Sequence, residues 1–135
     1  MRRWISKPQG DLKELFRRIV FNCLISNTDD HPRNHGFIFP SKGYHLSPAY
    51  DLVPQPSASH TRDLAMPFGS QGRVIRLENL LSRSTEYGVE TAEAKTIYDA
   101  MKDRLVRWRS YYEGVGVIGD DLRYLEPAFN WESIE

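Results

Sequence analysis

The sequence is short of several things that would decide a function class at once. It has one cysteine, Cys23, in 135 residues, so no internal disulfide can form and a reducing, cytoplasmic setting is the expectation. Neither charge is in surplus: 18 Lys and Arg stand against 18 Asp and Glu. A general nucleic-acid binder or an acidic-membrane binder would show a basic excess, so neither nucleic acid nor membrane is expected as a direct partner. No apolar run approaches the roughly 18 residues that a membrane span needs, and the opening MRRWISKPQG lacks the apolar core of a signal peptide. Internal repeats and low-complexity tracts are missing as well. What remains, with 40% apolar side chains, is the composition of one ordinary globular domain, long enough to bury roughly two-thirds of the surface its unfolded chain exposes.

Over Asp11 to Ser26 the residues Leu12, Leu15, Phe16, Ile19, Val20, Cys23 and Leu24 recur at helical spacing and predict an amphipathic helix. Asp11 and Glu14 have capping-box spacing for its start, Gly10 closes whatever precedes it, and Lys13, Arg17, Arg18 and Asn22 form the polar face. Cys23, on the apolar face, reads as a small core residue rather than a nucleophile. The run Asn27 to Gly36 is too rich in turn formers to continue the helix. Phe37-Ile38-Phe39 and Tyr44-His45-Leu46, around a turn at Pro40-Ser41-Lys42-Gly43, predict a short hairpin that leads through Ser47-Pro48-Ala49-Tyr50 to Asp51. The stretch from Pro54 to Arg73 has three prolines, two glycines and, apart from a short strand at Leu64-Ala65-Met66, no periodicity; loops of that length are functional or mobile.

The second half reads as helical. Leu77, Leu80 and Leu81 predict a short helix ending near Tyr87-Gly88. A long helix runs from Thr91, as N-cap, to Glu113, where Gly114 stops it, with Ala94, Ile97, Tyr98, Met101, Leu105, Trp108 and Tyr112 on one face. A last short helix capped by Asp120 carries Leu122 and Leu125. The expected fold class is mainly α (α+β), in a single domain over residues 1–135. Gly114-Val115-Gly116-Val117-Ile118-Gly119 has the letters of a nucleotide-binding glycine loop, but it follows a helix rather than a strand and reads as a helix end and interhelical loop. His31 and His35 have the spacing of helical zinc ligands, yet Pro32 between them argues against one helical face.

The polar run has a chemical logic. Asp29 and Asn34 stand five positions apart, and Asp51 follows just beyond the hairpin. Phosphoryl transfer asks for a carboxylate to accept the proton of the attacking hydroxyl and for ligands that hold Mg²⁺ on the phosphates. Protein-kinase catalytic loops supply base and metal-binding Asn at this spacing, with a second Asp after them, and hard oxygen ligands suit Mg²⁺. Spacing alone is also met by ordinary turn residues with Asp51 as a cap, and bare carboxylates are compatible with a metal-dependent nuclease or hydrolase.

Two blocks go further: Phe21-Asn22-x-Leu24-Ile25-x-Asn27-Thr28-Asp29-Asp30-His31-x-Arg33-Asn34-His35-Gly36-Phe37, then Leu46-Ser47-Pro48-Ala49-Tyr50-Asp51-Leu52. Together they resemble the HipA family of serine/threonine kinases, the toxins of bacterial toxin–antitoxin modules. Weaker agreement continues through Asp63-Leu64-Ala65-Met66, the Leu80-Leu81 helix and the helix bearing Trp108. The resemblance implies a mainly helical kinase C-lobe of the HipA type working with ATP and Mg²⁺. It makes Asp29 the general base and Asn34 and Asp51 the metal and nucleotide ligands; Asp30 is one register out. His31, two past the base, stands where ordinary protein kinases place a phosphate-contacting Lys, so it either meets the transferred phosphate or fixes the loop by a hydrogen bond. Asn27 and Thr28 are loop-shaping residues.

The resemblance also implies a DNA-binding (HipB-like) antitoxin as partner and a protein substrate such as an aminoacyl-tRNA synthetase. A kinase further needs an N-lobe with a glycine-rich loop, a strand Lys and an acid to orient it. Only 28 residues precede Asp29. Trp4-Ile5-Ser6-Lys7 superficially resembles a strand ending in such a Lys but leaves no room for that lobe, so a C-lobe alone is expected. Two readings follow: a catalytic lobe completed by an N-lobe from another chain or a longer parent, or a non-catalytic module that binds an antitoxin or regulatory partner. The cleft floor left open by a missing N-lobe also favours homo-oligomerisation.

Overall fold

The computed structural model describes residues 7–40, 43–57, 59, 61–132 and 134. Five helices dominate it: α1 (Pro8–Leu24), α2 (Leu77–Leu81), α3 (Thr91–Leu105), α4 (Trp108–Gly114) and α5 (Asp120–Leu125). Short 3₁₀ turns cover Pro32–Asn34, Ser84–Tyr87 and Glu126–Phe129. Strands β1 (Phe37–Ile38) and β2 (His45–Leu46) pair antiparallel, with Phe37 opposite Leu46 and Ile38 opposite His45. The mainly α class with a small hairpin is as expected. Trp4 to Ser6 and the Ser41-Lys42 tip of the hairpin lie outside the described residues.

Helix α1 starts earlier than its cap pattern suggests. Pro8 occupies the first turn, where a missing N–H costs nothing and φ is already helical. Gly10 therefore lies inside the helix, and Asp11 is a first-turn residue favoured by the helix dipole rather than a cap. The apolar stripe packs as expected, with Phe16, Val20, Cys23 and Leu24 at most 1% exposed. Arg18 and Asn22, expected on the solvent face, are buried instead. Both have hydrogen-bonding work to do beneath the polar segment that follows.

The core has two parts. The larger joins α1 to Leu64, Phe68, Ile75, Leu80, Val89, Ala94 and Tyr98; the smaller gathers Ile25, Trp108, Leu122, Ala128 and Phe129. This division explains the one break in the expected long helix. Residues Val106 and Arg107 form a turn between α3 and α4, so that Tyr98 faces the first cluster while Trp108 swings into the second. There Trp108 stacks on Phe129 with centroids 4.5 Å apart and planes 8° from parallel. Such a pair adds about 1 kcal/mol beyond its burial. Glu90, not Thr91, takes the N-cap of α3, and α4 runs through Gly114 before the chain reverses at Gly116, with φ 91.

The 54 to 73 stretch has little regular structure but is firmly held at its second half. Leu64 N–H bonds Arg73 O at 2.9 Å and Ile75 N–H bonds Arg62 O at 2.7 Å. The Asn79 amide, fully buried on α2, donates to Gly72 O and Val74 O and accepts from Gln71 N–H. Gly69 is required beside it: a Cβ there would stand 2.1 Å from Asn79 O. Arg62 is buried and donates to Ser26 Oγ, Ala128 O and Asn130 O. Trp131 Nε1 reaches back to Leu24 O at 2.8 Å, and Leu77 N–H to Ile134 O at 2.7 Å. The C-terminal residues thus close the lobe beneath the end of α1. Among the described residues no helix is long and apolar enough to cross a membrane.

Cys23 gives this core a chemical readout. Burial pushes its thiol far above the ordinary 9.0, the nearby Asp30 pushes the same way, and Arg62 opposes them. A raised folded value means the thiol's contribution to stability is intact below pH 9 and falls as the unfolded thiol ionises above it. Native protein at pH 8 is expected to resist a thiol-specific disulfide reagent until it is unfolded in denaturant, and its denaturation midpoint to decline above pH 9. Rapid labelling of the native protein would contradict the packing of α1.

Candidate active site

The polar run after α1 is built by side-chain hydrogen bonds rather than by regular structure. Ser26 leaves the helix with φ 56, a left-handed conformation uncommon for a non-glycine residue. It is held there by its hydroxyl, which donates to Ala128 O at 2.7 Å and accepts from Arg62. Asn27 N–H then returns to Asn22 O at 2.8 Å. From this turn Asp29 emerges exposed, while Asp30 is 1% exposed and points inward.

His31 caps the Pro32–Asn34 turn, its carbonyl accepting Asn34 N–H at 3.0 Å. Its ring Nδ1 is enclosed without a hydrogen-bond partner among the described residues, so the backbone, not that ring nitrogen, closes the turn. Asn34 is buried, and its Nδ2 donates to Asp29 O at 3.2 Å. The amide nitrogen is thus spent on the Asp29 carbonyl, which leaves Oδ1 as the group of Asn34 that could serve as a hard oxygen ligand.

The hairpin carries the third residue. Ser47 N–H pairs with Gly36 O at 2.9 Å, and the buried Arg18 on α1 donates to Ser47 O at 2.5 Å. Tyr50 OH donates to Arg33 O at 2.5 Å. Gly36 leaves room for this crossing, since a Cβ there would lie 3.2 Å from both Ser47 Oγ and Tyr50 OH. Asp51 follows, exposed and left-handed at φ 56. Its carbonyl accepts from Asn27 Nδ2 at 3.2 Å, and Thr28 Oγ1 bonds Gln55 Oε1 at 2.5 Å. Asn34 thus bonds the carbonyls of Asp29 and His31, through its side-chain and backbone N–H respectively, while Asp51 is held separately by Asn27, two residues before Asp29.

Asn34 and Asp51 supply two oxygen donors, a set that suits Mg²⁺, which keeps several waters and takes its remaining ligands from substrate phosphates. Among the described residues no three His, Cys, Asp or Glu side chains gather as an all-protein metal cage. His35, which sequence spacing pairs with His31, instead bonds Asp30 Oδ1 through Nε2 at 2.6 Å. That pair joins the two ends of the polar segment and forms part of the wall of a cavity of about 340 Å³, with Leu15, Ile19, Phe37 and Leu64.

Sequence reasoning missed Arg18, Asn22 and Arg62. Glu14, one turn before Arg18 and 3.2 Å from its Nε, was a weak signal for the first. Arg62 had none, because its partners are a hydroxyl and carbonyls far along the chain.

Residues 1–109 match the family model described as "HipA-like C-terminal domain". A Haemophilus influenzae protein named "Putative kinase" is 41% identical over 59 residues, covering 41% of this chain and 17% of that protein. "Putative kinase Y4dM" of Sinorhizobium fredii is 30% identical over 111 residues, 81% of this chain and 27% of its own length. "Putative kinase Y4mE" of the same organism is 30% identical over 53 residues, or 39% and 13%. The chain spans about a quarter or less of the length of these curated relatives.

The adjacent aspartates should separate cleanly by denaturant unfolding. Asp30→Ala leaves the buried His35 Nε2 without its partner and is expected to cost about 1–3 kcal/mol. Asp29→Asn, at an exposed position, is expected to change stability by less than about 0.5 kcal/mol. The reverse order would contradict the inward and outward assignment of the two side chains.

Proposed function

The chain belongs to the family of HipA-like C-terminal domains, and from that premise we propose that it is the catalytic C-lobe of a serine/threonine protein kinase. The observation that carries this reading is the arrangement of Asp29, Asn34 and Asp51: the Asn34 amide is pinned to the carbonyl of Asp29, and the carbonyl of Asp51 is held by Asn27, two residues before Asp29, with both aspartates exposed. Positioning of this kind is most of what phosphoryl transfer asks of a protein.

In this reading Asp29 accepts the proton of a substrate Ser or Thr hydroxyl as its oxygen attacks the γ-phosphorus of ATP. The bond to the β,γ-bridging oxygen breaks and ADP leaves. Mg²⁺, when bound, offsets the charge on the phosphates; Asn34 Oδ1 and the Asp51 carboxylate would hold it. His31, two residues past Asp29, would contact the transferred phosphate.

The loop that covers the nucleotide and the strand Lys come from an N-lobe, on another chain or in a longer parent. Its landing surface is the hairpin, where Phe37, Ile38, Phe39 and Tyr44 are 41%, 45%, 61% and 46% exposed. Extended to the whole system, the reading makes the protein part of a bacterial toxin–antitoxin module in the cytoplasm. A DNA-binding antitoxin is then the partner, and a protein such as an aminoacyl-tRNA synthetase the phosphoacceptor.

The test is transfer of ³²P from labelled ATP with Mg²⁺, the chain being mixed with the products of adjacent reading frames or joined to an N-lobe. Transfer that falls about 100-fold or more in Asp29→Asn is the expected result. Absence of transfer in every mixture, or an unimpaired Asp29→Asn, would contradict it and leave a non-catalytic binding module.

A further inference from the structure

Asp51 sits in the left-handed region, which Asp enters more readily than most non-glycine residues and which a hydrogen bond to its carbonyl can hold. Its carbonyl accepts a hydrogen bond from a residue of the turn after α1. Asn27, 1% exposed, directs its amide nitrogen at two acceptors: Asn22 Oδ1 on α1 at 3.1 Å and Asp51 O at 3.2 Å. Asn27 is itself fixed from three directions. Its N–H is bonded to Asn22 O; its neighbour Ser26 is left-handed and anchored to Ala128 O and Arg62; and Thr28 on the other side is bonded to Gln55. A residue that served only to shape the turn after α1 would need the bond to Asn22 and no reach across to the post-hairpin segment.

We propose that Asn27 is the positioning residue for Asp51. By holding the Asp51 carbonyl it keeps that residue in the left-handed well and so aims the carboxylate toward the ligand side of Asn34. The role of Asp51 as a metal ligand rests on the function proposed above; the control of its backbone by Asn27 does not. Partners that orient a ligand in this way commonly change metal affinity by about 10–100-fold when removed.

Asn27→Asp keeps the size of the side chain and removes both N–H donors. Asn27→Ser, which introduces no buried charge, serves where the first variant does not fold. Two readouts are taken on each: the Asp51 backbone angle in a crystal structure of the chain, and the Mg²⁺ concentration giving half-maximal phosphoryl transfer at saturating ATP by the chain joined to its N-lobe, with Asp51→Asn alongside. The expected result is an Asp51 φ outside the left-handed region. With it, half-saturating Mg²⁺ rises about tenfold, while the rate at saturating Mg²⁺ stays within about threefold. Asp51 held at its original angle in a folded variant would overturn the proposal. So would a rate that falls equally at every Mg²⁺ concentration, which is what a purely structural role produces. If Asp51→Asn leaves the Mg²⁺ requirement unchanged, the metal role of Asp51 fails, and the crystal structure still decides whether Asn27 sets its conformation.

Discussion

Ser26, Asn27, Asp30 and Asn34 are buried polar side chains in a stretch that has almost no regular secondary structure, and the lobe depends on each finding a partner. An unpaired buried polar group costs about 1–3 kcal/mol, so a segment with several of them folds only if its surroundings are tailored to it. The tailoring comes from distant parts of the chain. Asn22 and Arg18 reach from α1, Arg62 from the long loop, His35 from the segment itself, and the carbonyls of Ala128 and Asn130 from the C-terminus. The helices supply the apolar mass, and this network supplies the geometry.

That division also sets what was legible in advance. Helix α1, the hairpin and the helical second half follow from periodicity, because burying an apolar stripe leaves a regular mark on the sequence. The candidate set of Asp29, Asn34 and Asp51 could be named from sequence for a different reason: the three are close in the chain, and their spacing reflects a local loop and one hairpin. What was not legible is long-range. Arg18 and Asn22 looked solvent-facing because a polar residue on a helix gives no indication of a buried acceptor 29 positions away, such as Ser47 O. The break at Val106 and Arg107 arises from competition between two core clusters, and no proline or glycine marks it. The order in the 54 to 73 stretch comes from Asn79 and Arg62, whose partners only the fold brings near.

Residues beyond the family match at 1–109 are integral to the site's support. Phe129 stacks on Trp108, Ala128 and Asn130 receive Arg62, and Trp131 is bonded to the last turn of α1. Asp29, Asp51 and the hairpin residues Phe37, Ile38 and Phe39 are by contrast exposed.

The central claim is that Asn34 and Asp51 jointly face a nucleotide-bound metal while Asp30 and His35 are structural. Crystals of the chain paired with its N-lobe and grown with Mn²⁺ and a non-hydrolysable ATP analogue would test it through the anomalous signal of manganese. The account predicts a peak within bonding distance of Asn34 Oδ1 and an Asp51 carboxylate oxygen. A nucleotide bound with no peak there, or manganese at the Asp30–His35 pair, would contradict it.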